Sequence, residues 1–123
     1  MSRHADEATV RRWFDAFNSR NLEGMLDCMD ARVDFRPLRL GGIDAVYHCH
    51  VGVRDWFAAM SEMEHRHQVV LSKVHTSSRG EVIAAGALSA EHGAPSSFWA
   101  VEQLKDGLIV SARHLLSERL HLR

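Results

Sequence analysis

Nine histidines carry most of this chain's capacity for proton transfer or metal binding, and their neighbours sort them. His114 lies in the alternating run LIVSARHLL, directly after the dipeptide Asp106-Gly107. Asp-Gly supplies the positive φ angles of a two-residue type I′ hairpin turn, so Lys105 pairs with Leu108 and the register runs back from there. Trp99 then stands opposite His114, Val101 opposite Ala112 and Gln103 opposite Val110. Successive side chains alternate faces, so Trp99, Val101, Val110, Ala112, His114 and Leu116 share one face, apolar apart from one imidazole. An imidazole in that setting suits general acid–base work near neutral pH. The plain alternative is a core histidine bonded to a neighbour or stacked on Trp99. Glu102 and Arg113 fall on the opposite face at a diagonal, where a surface ion pair is the expectation.

The remaining chemistry is thinner. His75 falls in phase with Val82, Ala84, Gly86 and Leu88 and is a second polar candidate for the same pocket. Tyr47, the one tyrosine, either presents its hydroxyl to that pocket or closes its rim. The pairs His48/His50 and His65/His67 have chelating spacing on a strand. A helix between them, however, separates His50 from His65 by about 22 Å at roughly 1.5 Å per residue. No metal site is therefore assigned, and nothing in the sequence calls for a cofactor. Asp34 and Arg36 alternate outward from Val33 and Phe35 and read either as solvated or as part of a site at the cone mouth.

These residues need a scaffold, and the hydrophobic periods supply one. Val10, Trp13, Phe14 and Phe17 recur at i, i+3, i+4 and i+7, one stripe of a helix for which Asp6 is a plausible cap. Asn21 can cap a short helix bearing Leu22, Met25, Leu26 and Met29. Val33 and Phe35 suggest a short strand stopped by Pro37, and residues 38–50, with Gly41-Gly42, read as loop. Val53, Trp56, Phe57 and Met60 mark a third helix after Gly52. From His67 onward the period is two, with strands over roughly 67–76, 81–91, 96–105 and 108–117 and turns at Ser77–Gly80 and His92–Pro95. The expectation is an α+β single domain over residues 1–123: three N-terminal helices on one face of a curved antiparallel sheet, forming a cone with an internal pocket. Trp13, Phe17, Trp56 and Met60 are core and pocket wall. The convex face, with Val70, Val74, Ile83, Ala85, Ala87, Phe98, Leu104, Ile109 and Leu115, is too apolar to leave wet, which predicts a homodimer through it.

Composition sets outer limits. Apolar residues make up 46% and charged residues 25% of 123 residues, enough for one hydrophobic core. A net charge of −1, with Lys and Arg scattered, argues against nucleic-acid or membrane surfaces. The first dozen residues are polar and no apolar run reaches membrane-spanning length, so a cytoplasmic location is expected. Cys28 and Cys49 are then free thiols.

The run WFDAFNSRNLEGMLDCMDARVDFRPL, then YHCHVGVRDWFAAM and the DGLIVSARHLLSE hairpin resembles the SnoaL-like branch of the nuclear-transport-factor-2-like superfamily. The resemblance covers nearly the whole chain. It implies an α+β cone, commonly homodimeric, with a ligand pocket between helices and sheet; members include ketosteroid isomerases, polyketide cyclases, epoxide hydrolases and dehydratases beside non-catalytic proteins. By local motif, the isomerase tyrosine, base and oxyanion-donor positions fall at Trp13, Phe35 and Trp99. None of these side chains can do that proton chemistry, so the ketosteroid isomerase residues are not retained. The Asp-Arg-Asp set of limonene-type epoxide hydrolases is not evident either. Polyketide cyclases of the SnoaL type are similar in keeping an acid–base residue on the inward face of the final strands, where His114 stands. Two readings follow. One is an acid–base enzyme (isomerase, cyclase or hydrolase type) acting through His114 on a small apolar, cyclic or polyketide-like ligand bound by Trp13, Phe17, Phe35, Tyr47, Trp56, Met60, His75, Trp99, Val101 and Ala112. The other is a non-catalytic ligand-binding or dimerisation module of the same fold.

Overall fold

The apolar stripes and alternating runs form the elements they imply. A computed structural model describes residues 3–38, 45–62, 67–89 and 94–116. Helix α1 spans Arg3–Asn18 and α2 Leu22–Asp27; strand β1 is Met29–Arg36 and β2 Tyr47–His48; α3 is Cys49–Ser61. The strands β3 (Gln68–Thr76), β4 (Val82–Ser89), β5 (Ser96–Lys105) and β6 (Leu108–Leu116) follow. One six-stranded sheet results, in the order β2-β1-β6-β5-β4-β3. β3 to β6 form an antiparallel meander, and β1 joins the free side of β6 in parallel. The helices cover one face. Val10, Trp13, Phe14 and Phe17 of α1 and Val53, Trp56 and Met60 of α3 are buried against it, as a helical stripe requires.

Local chemistry fixes the ends of α1 and α2. Asp6 sits in the first turn of α1 and not at its cap, because the helix begins at Arg3. At its other end Asn18 bridges to β3 twice, Nδ2 donating to the Val69 carbonyl at 2.8 Å and Oδ1 accepting from the Val69 amide at 2.9 Å. Arg20 reverses the chain at φ 56° and donates to the carbonyls of Phe17 and His67. Asn21 accepts from the Gly24 amide and caps α2. Met29, read as the end of that helix, instead opens β1, which is longer than the alternation at Val33 and Phe35 suggests. β2 is too short to leave a pattern. Gly41-Gly42, His65, His92 and Gly93 lie outside the described residues.

The hairpin turn forms as its sequence dictates, with Asp106 at φ 54° and Gly107 at φ 81°. Its register does not. Lys105 pairs with Leu108 and Leu104 with Ile109, but Gln103 pairs with Ser111, leaving Val110 as an extra residue in β6. This bulge flips the phase of one strand against the other. Ala100, not Trp99, therefore stands across from His114, and Glu102 across from Ala112. Phe98, Ala100 and Glu102 face the helices and are buried, while Trp99 and Val101 point to the convex side. A second bulge, at Ser72 in β3, does the same to His75, which pairs with Ile83 on the convex face while Val74 turns inward. The convex apolar set therefore loses Val74, Phe98, Leu104 and Ile109 and gains Trp99 and Val101.

Candidate functional site

Between α1, α3 and the concave face lies an apolar cavity of about 210 Å³. Trp13, Phe14 and Phe17 from α1 and Trp56 and Met60 from α3 form one wall. Val69, Leu88, Phe98, His114 and Leu116 form the sheet side, and Pro37, Leu38 and His67 complete the lining. Trp13 stacks parallel on Phe17 at 5.8 Å, so the wall is flat where a ring could lie. The Trp13 indole N–H is already spent on the Met29 thioether at 3.3 Å.

His114 is the buried polar side chain of this lining. Its ring centroid is 5.3–5.5 Å from those of Phe98, Trp13, Phe35 and Phe14. Behind it stands Glu102, which the hairpin read from sequence had put on the outer face beside Arg113. The Glu102 side chain is 1% exposed and that of His114 6%, with Oε2 and Nε2 3.8 Å apart. That separation is beyond a hydrogen bond. Neither carboxylate oxygen, nor Nε2, has a hydrogen-bond partner. A buried imidazole ringed by four aromatic side chains thus faces a buried carboxylate across 3.8 Å. Burying either charge alone would be costly, whereas the two together can hold one proton and stay neutral overall.

The other sequence candidates distribute as follows. Trp13, Phe17, Trp56, Met60 and His114 line the cavity. Phe35 is wholly buried one layer behind, its ring against Trp13, Trp56 and His114. Ala112 is buried beside Glu102, and Tyr47 packs on the core; neither reaches the lining. His75, Trp99 and Val101 stand on the far face for the bulge reasons given above. Glu102, Phe14 and Phe98 were missed, although Phe14 lies on the same helical stripe as Trp13 and Phe17. Of the histidine pairs, His65 lies outside the described residues, while His48 Nδ1 meets Asp34 at 2.7 Å and His50 Nε2 meets the Met29 carbonyl at 2.9 Å. Among the described residues no three side chains are grouped to hold a metal ion. Cys28 is buried, and desolvation pushes its thiol up against the opposing pull of Arg12, which disfavours the reactive thiolate. No helix of the described residues is long and apolar enough to cross a membrane.

The same architecture recurs in solved structures. Bal32a, from a soil-derived mobile gene cassette, superposes with a TM-score of 0.80 at 21% identity, covering 94% of this chain and 92% of that one. TerC, co-crystallised with polyporic acid, gives 0.80 at 15% identity over 94% and 93% of the two chains. A candidate polyketide cyclase from Xanthomonas campestris pv. campestris gives 0.77 at 16% identity over 95% and 93%. At such identities the likeness is one of fold. No curated protein matches the chain in sequence. The family profile of the SnoaL-like domain matches residues 10–112, which takes in α1 from Val10 onward, Phe35, the cavity wall of α3 and Glu102, and ends two residues before His114. The chain belongs to the SnoaL-like domain family.

Proposed function

We propose that the cavity takes a small apolar molecule, cyclic or polyketide-like, and that His114, backed by Glu102, is its polar contact and its general acid or base. The observation that carries this is the enclosed Glu102–His114 pair, whose hydrogen-bonding capacity the protein leaves unspent. Nε2 is turned toward Glu102, so Nδ1 is the nitrogen left for a ligand. A proton taken from an acidic C–H or O–H of the ligand passes to His114, and the nearby carboxylate stabilises the imidazolium that forms. Return of that proton to another atom of the same molecule completes an isomerisation or ring closure without a cofactor. The aromatic walls exclude water and supply the ligand's binding energy.

The test uses cyclic enones and hydroxyquinones as probes in deuterated buffer, following saturable binding and uptake of solvent deuterium by the probe. Binding in the parent should weaken about tenfold or more in His114→Ala, the loss of one buried polar contact. Deuterium uptake should vanish in His114→Ala and fall in Glu102→Gln. Unchanged binding in His114→Ala sinks the assignment. Binding that needs His114 but never exchanges a proton favours the second reading, a non-catalytic binder, to which the modest cavity volume also lends weight.

A homodimer through the convex face belongs to the same reading. Val70 is 64%, Leu115 38% and Trp99 36% exposed there, beside Ile83, Ala85 and Ala87. A contiguous apolar patch on a sheet is covered most simply by a two-fold copy of itself. Sedimentation at micromolar concentration should give a dimer, and Trp99→Glu should give a folded monomer. A monomeric parent under those conditions rejects the pairing.

A further inference from the structure

The convex side also carries a polar concavity that the proposed chemistry does not use. Arg36 of β1 and Arg113 of β6 are register partners on adjacent parallel strands, so their side chains rise from that side next to each other. Like charges set directly across a ladder repel. Among the described residues neither guanidinium has a carboxylate within 4.0 Å. Asp34, two residues before Arg36, is engaged by His48, and Glu81 lies in the lining on the β4 side. The space beside the arginines measures about 640 Å³, is walled by Pro37 and Val46, and has Ser111 and Gln103 on its floor. Ser111 and Gln103 are themselves paired across β5 and β6, which brings a hydroxyl and an amide to the same spot.

Two guanidinium forks with a hydroxyl and an amide around one concavity form a donor set for an oxyanion, which arginine binds in bidentate fashion. We propose that this basin binds a carboxylate- or phosphate-bearing small molecule, its oxyanion held between Arg36 and Arg113. The anion supplies the opposite charge that the strand register denies the pair. Arg113 and His114 point to opposite faces of β6, so the arginines stand outside the aromatic cavity, although Pro37 and His114 border both spaces. A carboxylate from a second copy at the convex face is the competing occupant.

Inorganic phosphate and benzoate, each titrated against chloride at constant ionic strength, test this with the full chain. The readouts are the thermal midpoint, the arginine Nε–H signals by NMR, and the sedimentation coefficient. A saturable rise in midpoint with either anion is expected, phosphate or benzoate being preferred according to which head group the ligand carries. Arg36→Gln and Arg113→Gln should each weaken that binding by roughly tenfold, and the double variant should abolish it. Without anion, the double variant should unfold no lower than the parent, since a repulsion has been removed. No saturable response in the parent, or an undiminished one in the double variant, overturns the proposal. So does loss of the dimer in these variants with no anion response in the parent, which would assign the pair to a partner's carboxylate.

Discussion

Substituting Glu102→Met and His114→Leu together should yield a protein more stable than the parent, although His114→Leu alone should be among the most damaging changes in the chain. Both groups are enclosed by apolar and aromatic side chains, 3.8 Å apart, and neither has a hydrogen-bond partner. Removing the imidazole strands a carboxylate where water cannot reach it, and loss of one partner of a buried pair costs roughly 3–5 kcal/mol. Removing the carboxylate instead leaves the imidazole as an unsatisfied polar group, at a cost of about 1–3 kcal/mol. Removing both leaves side chains of similar volume in an apolar site, a change that is neutral to stabilising by roughly 1–4 kcal/mol. Urea unfolding of the four proteins closes the cycle, and the coupling should be strongly non-additive. Additive single effects would mean that the two groups do not share a charge, and the site would lose its chemical rationale. A stabilised double variant without proton exchange would show that the pair is kept for what it does to a ligand, at some expense in stability.

That pair was half legible in the sequence, and the reason lies in two bulges. The helical stripes Val10 to Phe17 and Val53 to Met60 declare themselves by period, and Asp106-Gly107 declares its turn by conformation. A bulge leaves no such mark. Nothing in Ile109-Val110-Ser111 distinguishes a regular strand from one carrying an extra residue at Val110. Strand β5 could not arbitrate either, because both of its faces are apolar: Phe98, Ala100 and Leu104 on one, Trp99 and Val101 on the other. A sheet covered by helices on one side and exposing an apolar face on the other gives no clean alternation. The register therefore slipped by one on β5 and on the part of β6 that precedes the bulge, Ile109 included. Glu102 was read as solvated, and Trp99 as the neighbour of His114. The extra residue at Ser72 moved His75 in the same way. The phase of Ala112, His114 and Leu116 survives because those residues lie beyond the bulge on the strand that carries it.

Gly86→Ala is expected to be the most damaging single-methyl change in the molecule. A Cβ built on Gly86 would lie 2.1 Å from the Val70 carbonyl oxygen and 2.8 Å from Leu71 Cα, both backbone atoms of the neighbouring strand. No rotamer change relieves such a contact; the two strands must separate. Their closeness has a cause, since Leu71 pairs with Gly86 and Lys73 with Ala85, so the Ser72 bulge begins directly beside the glycine. Bulges bend a strand and increase its twist, which curves the sheet around the helices and leaves room for a cavity. The glycine is required here by the close approach of another strand and not by its own backbone angles. Overpacking normally costs about 1–3 kcal/mol, and a clash with the backbone of the neighbouring strand belongs at or above the top of that range. For a domain of this size that is a fall in thermal midpoint on the order of 10 °C. Gly80→Ala, at an open turn with φ 86°, pays only for its backbone conformation and should lose much less. Should Gly86→Ala unfold within a degree or two of the parent and still bind the cavity probes, β3 and β4 are not packed as described, and the curvature that shapes the site has another source.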